Sequence, residues 1–259
     1  PRAHGQLKTR YPPMAAVTDS ALLAAARPPF PRLSFLAVAG SLFLRNSSSG
    51  SSLYSHQHWP AVWPRKLVVR AARMESRRLG LGSRAPSFQL PEPLTGKTWK
   101  LEDFESHPAF LVMFICNHCP FVKHLKKDIV KLSKAYMQKG LAAVAISSNS
   151  AATHPQDGPQ FMAEDARLYG YPFPYLYDES QEVAHNFGAA CTPEFFLFKK
   201  DDQKPFELVY HGQFDDSRPN NNIPVTGRDL SLAIDNALKG LPISPNQKSS
   251  VGCSIKWHP

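Results

Sequence analysis

Two cysteines with two residues between them carry the strongest chemical signal in the chain. Cys116-Asn117-His118-Cys119-Pro120 follows the apolar run Ala109–Ile115 and precedes a segment of helical periodicity. A thiol at the start of a helix faces N–H groups that lack a partner in the helix and the positive end of the dipole, which favours its thiolate. A second thiol one turn along reaches the first. The pair can then close as a disulfide and reopen by exchange. The imidazole of His118, lying between the sulfurs, is expected to stabilise a thiolate on Cys116. On this reading Cys116 attacks, Cys119 resolves and His118 tunes the thiolate.

The other two cysteines are candidates for additional redox roles. Cys191 opens Cys191-Thr192-Pro193, just before the apolar run Glu194–Phe198, and Cys253 lies near the end of the chain. Soft ligands for zinc or copper are the alternative use of four cysteines and His118. The intervals of 72 residues from Cys119 to Cys191 and 62 from Cys191 to Cys253 are far from the paired spacing of a zinc finger. No metal and no cofactor is therefore assigned. A permanent structural disulfide is also disfavoured, because closing so short a loop adds little stability. His124, His154, His185 and His211 receive no role.

The elements that must position these thiols follow from periodicity. Phe88–Leu90 and Thr98–Leu101 flank the turn Leu94-Thr95-Gly96-Lys97 and read as a strand pair. Glu102–Glu105 reads as one helical turn. Ala109–Ile115 and Leu141–Ile146 are continuous apolar runs, as expected of strands buried on both faces. Phe121–Met137 has helical spacing, with its lysines read as a solvated face and Gly140 beyond its end. Pro159–Tyr169 and Ser180–Phe187 predict helices and Tyr175–Tyr177 a strand. Glu194–Phe198 and Leu208–His211 predict adjacent strands. Thr226 is expected to cap a last helix ending at Leu238. The tail Ile243–Pro259 either packs as an extended segment or stays mobile.

Charge separates the chain into two parts. The 259 residues carry a formal net charge of +9 and a mean hydropathy of −0.32. Residues 1–79 hold 12 Lys+Arg and two acids, a net +10; residues 80–259 hold 18 and 19, a net −1. The near-neutral second part argues against a nucleic-acid partner. The composition argues against a multispan membrane protein, and no membrane span is expected. Residues 1–79 read as a disordered upstream segment with a transit peptide, rich in Ser, Ala and Arg and opening with Met14-Ala15-Ala16. Val68–Ala72 resembles a plastid processing site. The expected location is the chloroplast; mitochondrial import, or secretion led by the apolar run Leu33–Leu44, is the alternative. Residues 80–259 are expected to form one domain.

Strand–helix–strand–helix, then a strand pair and a closing helix, is the order of a thioredoxin-like α/β fold, a central mixed sheet flanked by helices. The chain resembles the peroxiredoxin-like branch of the thioredoxin superfamily, related to alkyl hydroperoxide reductase and thiol-specific antioxidant proteins. The resemblance spans Gly82 to Trp257. It rests on Ala85-Pro86-Ser87-Phe88, Cys116-Asn117-His118-Cys119-Pro120, Thr192-Pro193-Glu194-Phe195, Asp215-Asp216-Ser217-Arg218-Pro219, Asn222-Ile223-Pro224-Val225-Thr226 and Gly252-Cys253-Ser254-Ile255-Lys256-Trp257. It implies a cis Pro193 facing the dithiol, with Thr192-Pro193 binding an extended substrate. Asp215–Arg218 is read as either a turn or a loop near the active site.

The resemblance also implies that Cys119 stands where peroxiredoxins carry the peroxide-attacking cysteine. Their Thr and Pro before it are replaced by Cys116 and Val112, and their site arginine by the Thr192-Pro193 stretch. The expected activity is therefore thiol–disulfide exchange with protein dithiols, protein disulfides or small thiols. A weak thiol peroxidase with Cys119 attacking peroxide is one alternative. A non-catalytic metal-binding or redox-sensing module is another.

Overall fold

The computed structural model describes residues 79–201 and 205–259. Apart from Leu79, the transit-segment expectation for residues 1–79, including Val68–Ala72 and Leu33–Leu44, lies outside the described residues.

A short hairpin comes first: β1 (Gln89–Pro91) pairs antiparallel with β2 (Thr98–Lys100), and a 3-10 turn (Leu101–Phe104) follows. Then come β3 (Ala109–Phe114), α1 (Pro120–Met137), β4 (Leu141–Ser147), α2 (Pro159–Tyr169), β5 (Tyr175–Tyr177) and α3 (Glu182–Phe187). The chain ends with β6 (Cys191–Thr192), β7 (Glu194–Lys199), β8 (Glu207–Gly212), α4 (Arg228–Leu238) and β9 (Cys253–Ser254).

The main sheet has the order β5-β4-β3-β7-β8. β3 is parallel to β4 and antiparallel to β7, so the sheet is mixed. Every residue of β3 and β4 is buried. Successive side chains of a strand point to opposite faces, and both faces are covered. Leu111 and Met113 join Val122, Leu125 and Ile129 of α1 and Leu230 and Ile234 of α4. Phe110, Val112 and Phe114 join Phe104, Phe187 and Phe196 on the other face. This double cover explains why the strands read as unbroken apolar runs.

Three local expectations are corrected. The lysines of α1 are not all solvated: Lys126 is buried, and its ammonium donates to both Asp165 oxygens at 2.8 Å. Thr226 is not the cap of α4. That position belongs to Gly227 at φ 63°, while buried Asp215 accepts the N–H groups of Thr226 and Gly227 at 2.6 and 2.7 Å. A Cβ on Gly227 would lie 2.9 Å from Leu132 and Phe214 carbons, so close packing adds to the left-handed φ in favouring glycine. α3 begins at Glu182, after Gln181 in the left-handed region, and not at Ser180.

The tail is ordered and extended. Its β9 pairs antiparallel with β6, Cys191 opposite Ser254 and Thr192 opposite Cys253. Beyond β9, the Ile255 N–H donates to the Ala190 carbonyl at 3.0 Å, and Trp257 stacks on His185 at 4.2 Å. Among the described residues, no helix is long and apolar enough to cross a membrane.

Candidate functional site

The dithiol sits where β3 hands the chain to α1. Cys119 is the residue before the first helical position, and Pro120 occupies that position, where its missing N–H costs nothing. Cys116 and Cys119 are both buried. Across from them the Thr192-Pro193 peptide bond is cis. Thr192 touches both cysteines: its Oγ1 is 3.3 Å from the Cys116 sulfur, and its carbonyl oxygen is 3.2 Å from the Cys119 sulfur.

The thiolate expected on Cys116 falls instead on Cys119. The neighbouring Cys116 and Cys253 thiols and the Val122 N–H in the first turn of α1 are donors that favour the charged form of Cys119. These donors hold Cys119 far below the ordinary thiol range, against the opposing effect of burial. Cys116 is pushed well above it, first because its proton is engaged by Cys119, then by burial and the negative charge of Asp157. When Cys119 carries the proton, its S–H points to the Thr192 carbonyl. The helix terminus thus acts on the second cysteine, because the helix begins at Pro120 and not at Asn117.

His118 does not face Cys116 closely. Its Nδ1 hydrogen-bonds the Asp157 carboxylate and lies 3.9 Å from the Cys116 sulfur, a long contact. Asp157 organises the whole turn. One of its oxygens accepts the N–H groups of Asn117 and His118 at 2.8 and 3.1 Å, and the other also accepts the Asn149 amide at 2.9 Å. Burial raises the Asp157 carboxyl, but these hydrogen bonds and the His118 ring outweigh it, and the net direction is downward. Asn117 is pinned as well, by the Tyr175 hydroxyl at 3.1 Å and the Gln156 carbonyl at 3.0 Å.

Cys116, His118 and Asp157 offer ligand atoms within 4.8 Å of one another, the one candidate metal group among the described residues. Asp157 is saturated by the donors just named, so a metal there would have to displace the bonds that shape the turn.

Cys191 and Cys253 also converge on Thr192. Cys191 is buried beside the Glu194 carboxylate, and burial first, then that charge, pushes its thiol far up. Glu194 is itself a positioning group that periodicity did not reveal. It accepts the N–H groups of Ala190 and Cys191 at 2.8 and 3.1 Å and pairs with His211 Nε2 at 2.6 Å, fixing the loop before Pro193. Cys253 is half-buried opposite Thr192. The edge expected to receive an extended substrate is therefore paired with the chain's own tail. Of the Asp215–Arg218 segment, Ser217 and Arg218 line a small cavity with Pro193, Phe121 and His124, which places the loop beside the site. Ser217 is tied to α1 through His124 at 2.7 Å.

The mixed sheet, the dithiol at the start of α1 and the cis proline opposite define a thioredoxin-like oxidoreductase. Residues 81–223 match the Redoxin family, and the chain belongs to it. Two solved structures are similar over most of their length. An uncharacterized conserved protein from Geobacillus kaustophilus is 51% identical, with a TM-score of 0.69 over 73% of this chain and 97% of that one. A hypothetical protein from Sinorhizobium meliloti is 46% identical, with a TM-score of 0.68 over 71% of this chain and 98% of that one. No curated protein matches the chain.

Proposed function

We propose that this redoxin is a thiol–disulfide oxidoreductase whose working pair is Cys116 and Cys119. The observation that carries the reading is the pair of buried sulfurs at the N-terminus of α1, both in contact with Thr192 of the cis Thr192-Pro193 bond. Cys119 holds the thiolate and attacks a disulfide of a protein or small thiol. Its partner Cys116 then attacks the Cys119 sulfur of the mixed disulfide, releasing the second substrate thiol and leaving a Cys116–Cys119 disulfide. This reverses the roles expected from sequence. His118, held by Asp157, fixes the turn between the sulfurs and supplies a ring beside Cys116. Thr192 and Pro193 form the wall against which the substrate sulfur lies. The test is exchange with a disulfide-bonded protein under a small-thiol supply. Cys116→Ser and Cys119→Ser proteins should each lose turnover, and a wild-type rate in either overturns the reading.

A thiolate on Cys119 also favours a second reading, in which peroxide is the oxidant. Cys119 would become a sulfenic acid and release water or alcohol, and Cys116 would condense with it to a disulfide and water. Stopped-flow decay of hydrogen peroxide that does not depend on Cys119 ends that reading.

The chloroplast remains the proposed location, supported by the composition of residues 1–79. A fusion of that segment to a fluorescent protein in plant cells tests it. Signal outside plastids rejects it.

A further inference from the structure

Besides its chain neighbour Cys191, Thr192 has three cysteines around it, and the third is Cys253 of β9. The approach is tight. A Cβ on Gly252 would lie 2.0 Å from the Thr192 carbonyl oxygen and 2.6 Å from its carbon, so only glycine lets β9 come this close to the cis-proline bond. The strand is held on both sides of Cys253. The Ser250 hydroxyl donates to the Gly212 carbonyl at 2.7 Å, and the Lys256 N–H donates to Asn149 at 2.8 Å. The His258 N–H donates to Gln181 at 2.8 Å. Anchored in this way, Cys253 lies opposite Thr192, whose carbonyl oxygen is 3.2 Å from the Cys119 sulfur, so the two thiols meet at one peptide.

Exposure distinguishes the three. Cys116 is 1% exposed and Cys119 0%, whereas Cys253 is only half-buried. Of the three, Cys253 is the sulfur most open to a thiol in solution.

We infer that Cys253 is the thiol port of the site: it takes over the disulfide from Cys116 and presents it to small thiols in solution. This rests on the dithiol reading, which supplies the Cys116–Cys119 disulfide. In the transfer Cys253 gives up its proton and attacks the Cys119 sulfur. The Cys119–Cys253 bond forms, the Cys116–Cys119 bond breaks, and the departing Cys116 sulfur takes a proton. The oxidation level of the protein does not change. A small thiol such as glutathione then loses its proton and attacks the Cys253 sulfur, and Cys119 leaves as the thiolate. The donors that stabilise a thiolate at Cys119 make it a fast leaving group. A second glutathione releases glutathione disulfide and restores the Cys253 thiol.

The test uses the full chain and glutathione. A Cys116→Ser, Cys191→Ser protein treated with oxidised glutathione should form an internal Cys119–Cys253 disulfide, seen by peptide mapping. A glutathione adduct that persists on either cysteine overturns the proposal. The wild-type protein, equilibrated in a glutathione buffer and quenched in acid, gives a readout independent of that variant's folding. Cys119 should be found joined to Cys116 in one fraction and to Cys253 in another; a single Cys116–Cys119 species overturns the proposal. Reduction of the oxidised Cys253→Ser protein by reduced glutathione should be slower by at least ~10-fold, since the accessible sulfur is gone. A wild-type rate there, with the Cys116–Cys119 disulfide intact beforehand, rejects the port and leaves the dithiol reading standing. Failure of the wild-type protein to form any Cys116–Cys119 disulfide rejects both.

Discussion

His118 turns its Nδ1 to Asp157, and the same nitrogen stands 3.9 Å from the Cys116 sulfur. The imidazole is oriented by a carboxylate 39 residues away, which also gathers the backbone of the turn that carries it. The dithiol owes its shape to Asp157 more than to its own sequence.

Removing that carboxylate should loosen the turn without touching either sulfur. Asp157→Ala is expected to lower the exchange rate by about 10²-fold, the scale of a 1 Å misplacement. The pH dependence gives a second reading of the same residue. Its folded-state acidity is strengthened, so its stabilising contribution is complete above the ordinary carboxylate value of about 3.9 and is lost as pH falls below it. Asp157→Asn should flatten that acid limb in thermal melts. An unchanged acid limb would show that the carboxylate has no such part.

Titration of the reduced dithiol should show one sulfur ionised well below the ordinary thiol value of about 8.5. Ultraviolet thiolate absorbance checks this. Cys119→Ser should abolish the early titration. Cys116→Ser should keep it but move it upward, because one donor to the Cys119 sulfur is weakened. If the early step survives Cys119→Ser, the thiolate belongs elsewhere.

Lys126→Ala should be a stability mutant with little effect on chemistry. The buried ammonium is held by Asp165, which also accepts the Tyr171 hydroxyl at 2.6 Å. Removing one partner strands the other, at a cost of about 3 kcal/mol. Denaturant unfolding measures the loss, and a change below about 0.5 kcal/mol would place the pair among ordinary surface ion pairs.

Gly252→Ala should displace the tail. A methyl group cannot share space with the Thr192 carbonyl, and forced overpacking costs about 1–3 kcal/mol even where the structure can give. Protease cleavage near residues 250–258 should accelerate, and alkylation of Cys119 should speed up once its cover lifts. Equal rates in mutant and wild type would contradict the close approach.

Much of the fold was legible because burial on two faces leaves a plain mark. Ala109–Ile115 and Leu141–Ile146 read as buried strands from apolar continuity alone, each within one residue of the observed strand, and α1 from its periodicity. What escaped was set by contacts with no local signature. Lys126 looks like its exposed neighbours in sequence, and partners on another helix, Asp165 above all, make its burial tolerable. Asp157 lies in a short 3-10 turn with no period to mark it. The cysteine pair was plain, but which sulfur bears the charge depended on where the helix begins and on a strand of two residues, Cys253 and Ser254.

The pairing of β9 with β6 also has a consequence for the order of synthesis. The dithiol leaves the ribosome more than a hundred residues before Gly252 does. During that interval the edge at Thr192 has no partner, and Cys119 lacks both its lid and one of its donors. A nascent chain therefore carries a less shielded sulfur than the finished protein. The site closes only once Gly252 and Cys253 have been made.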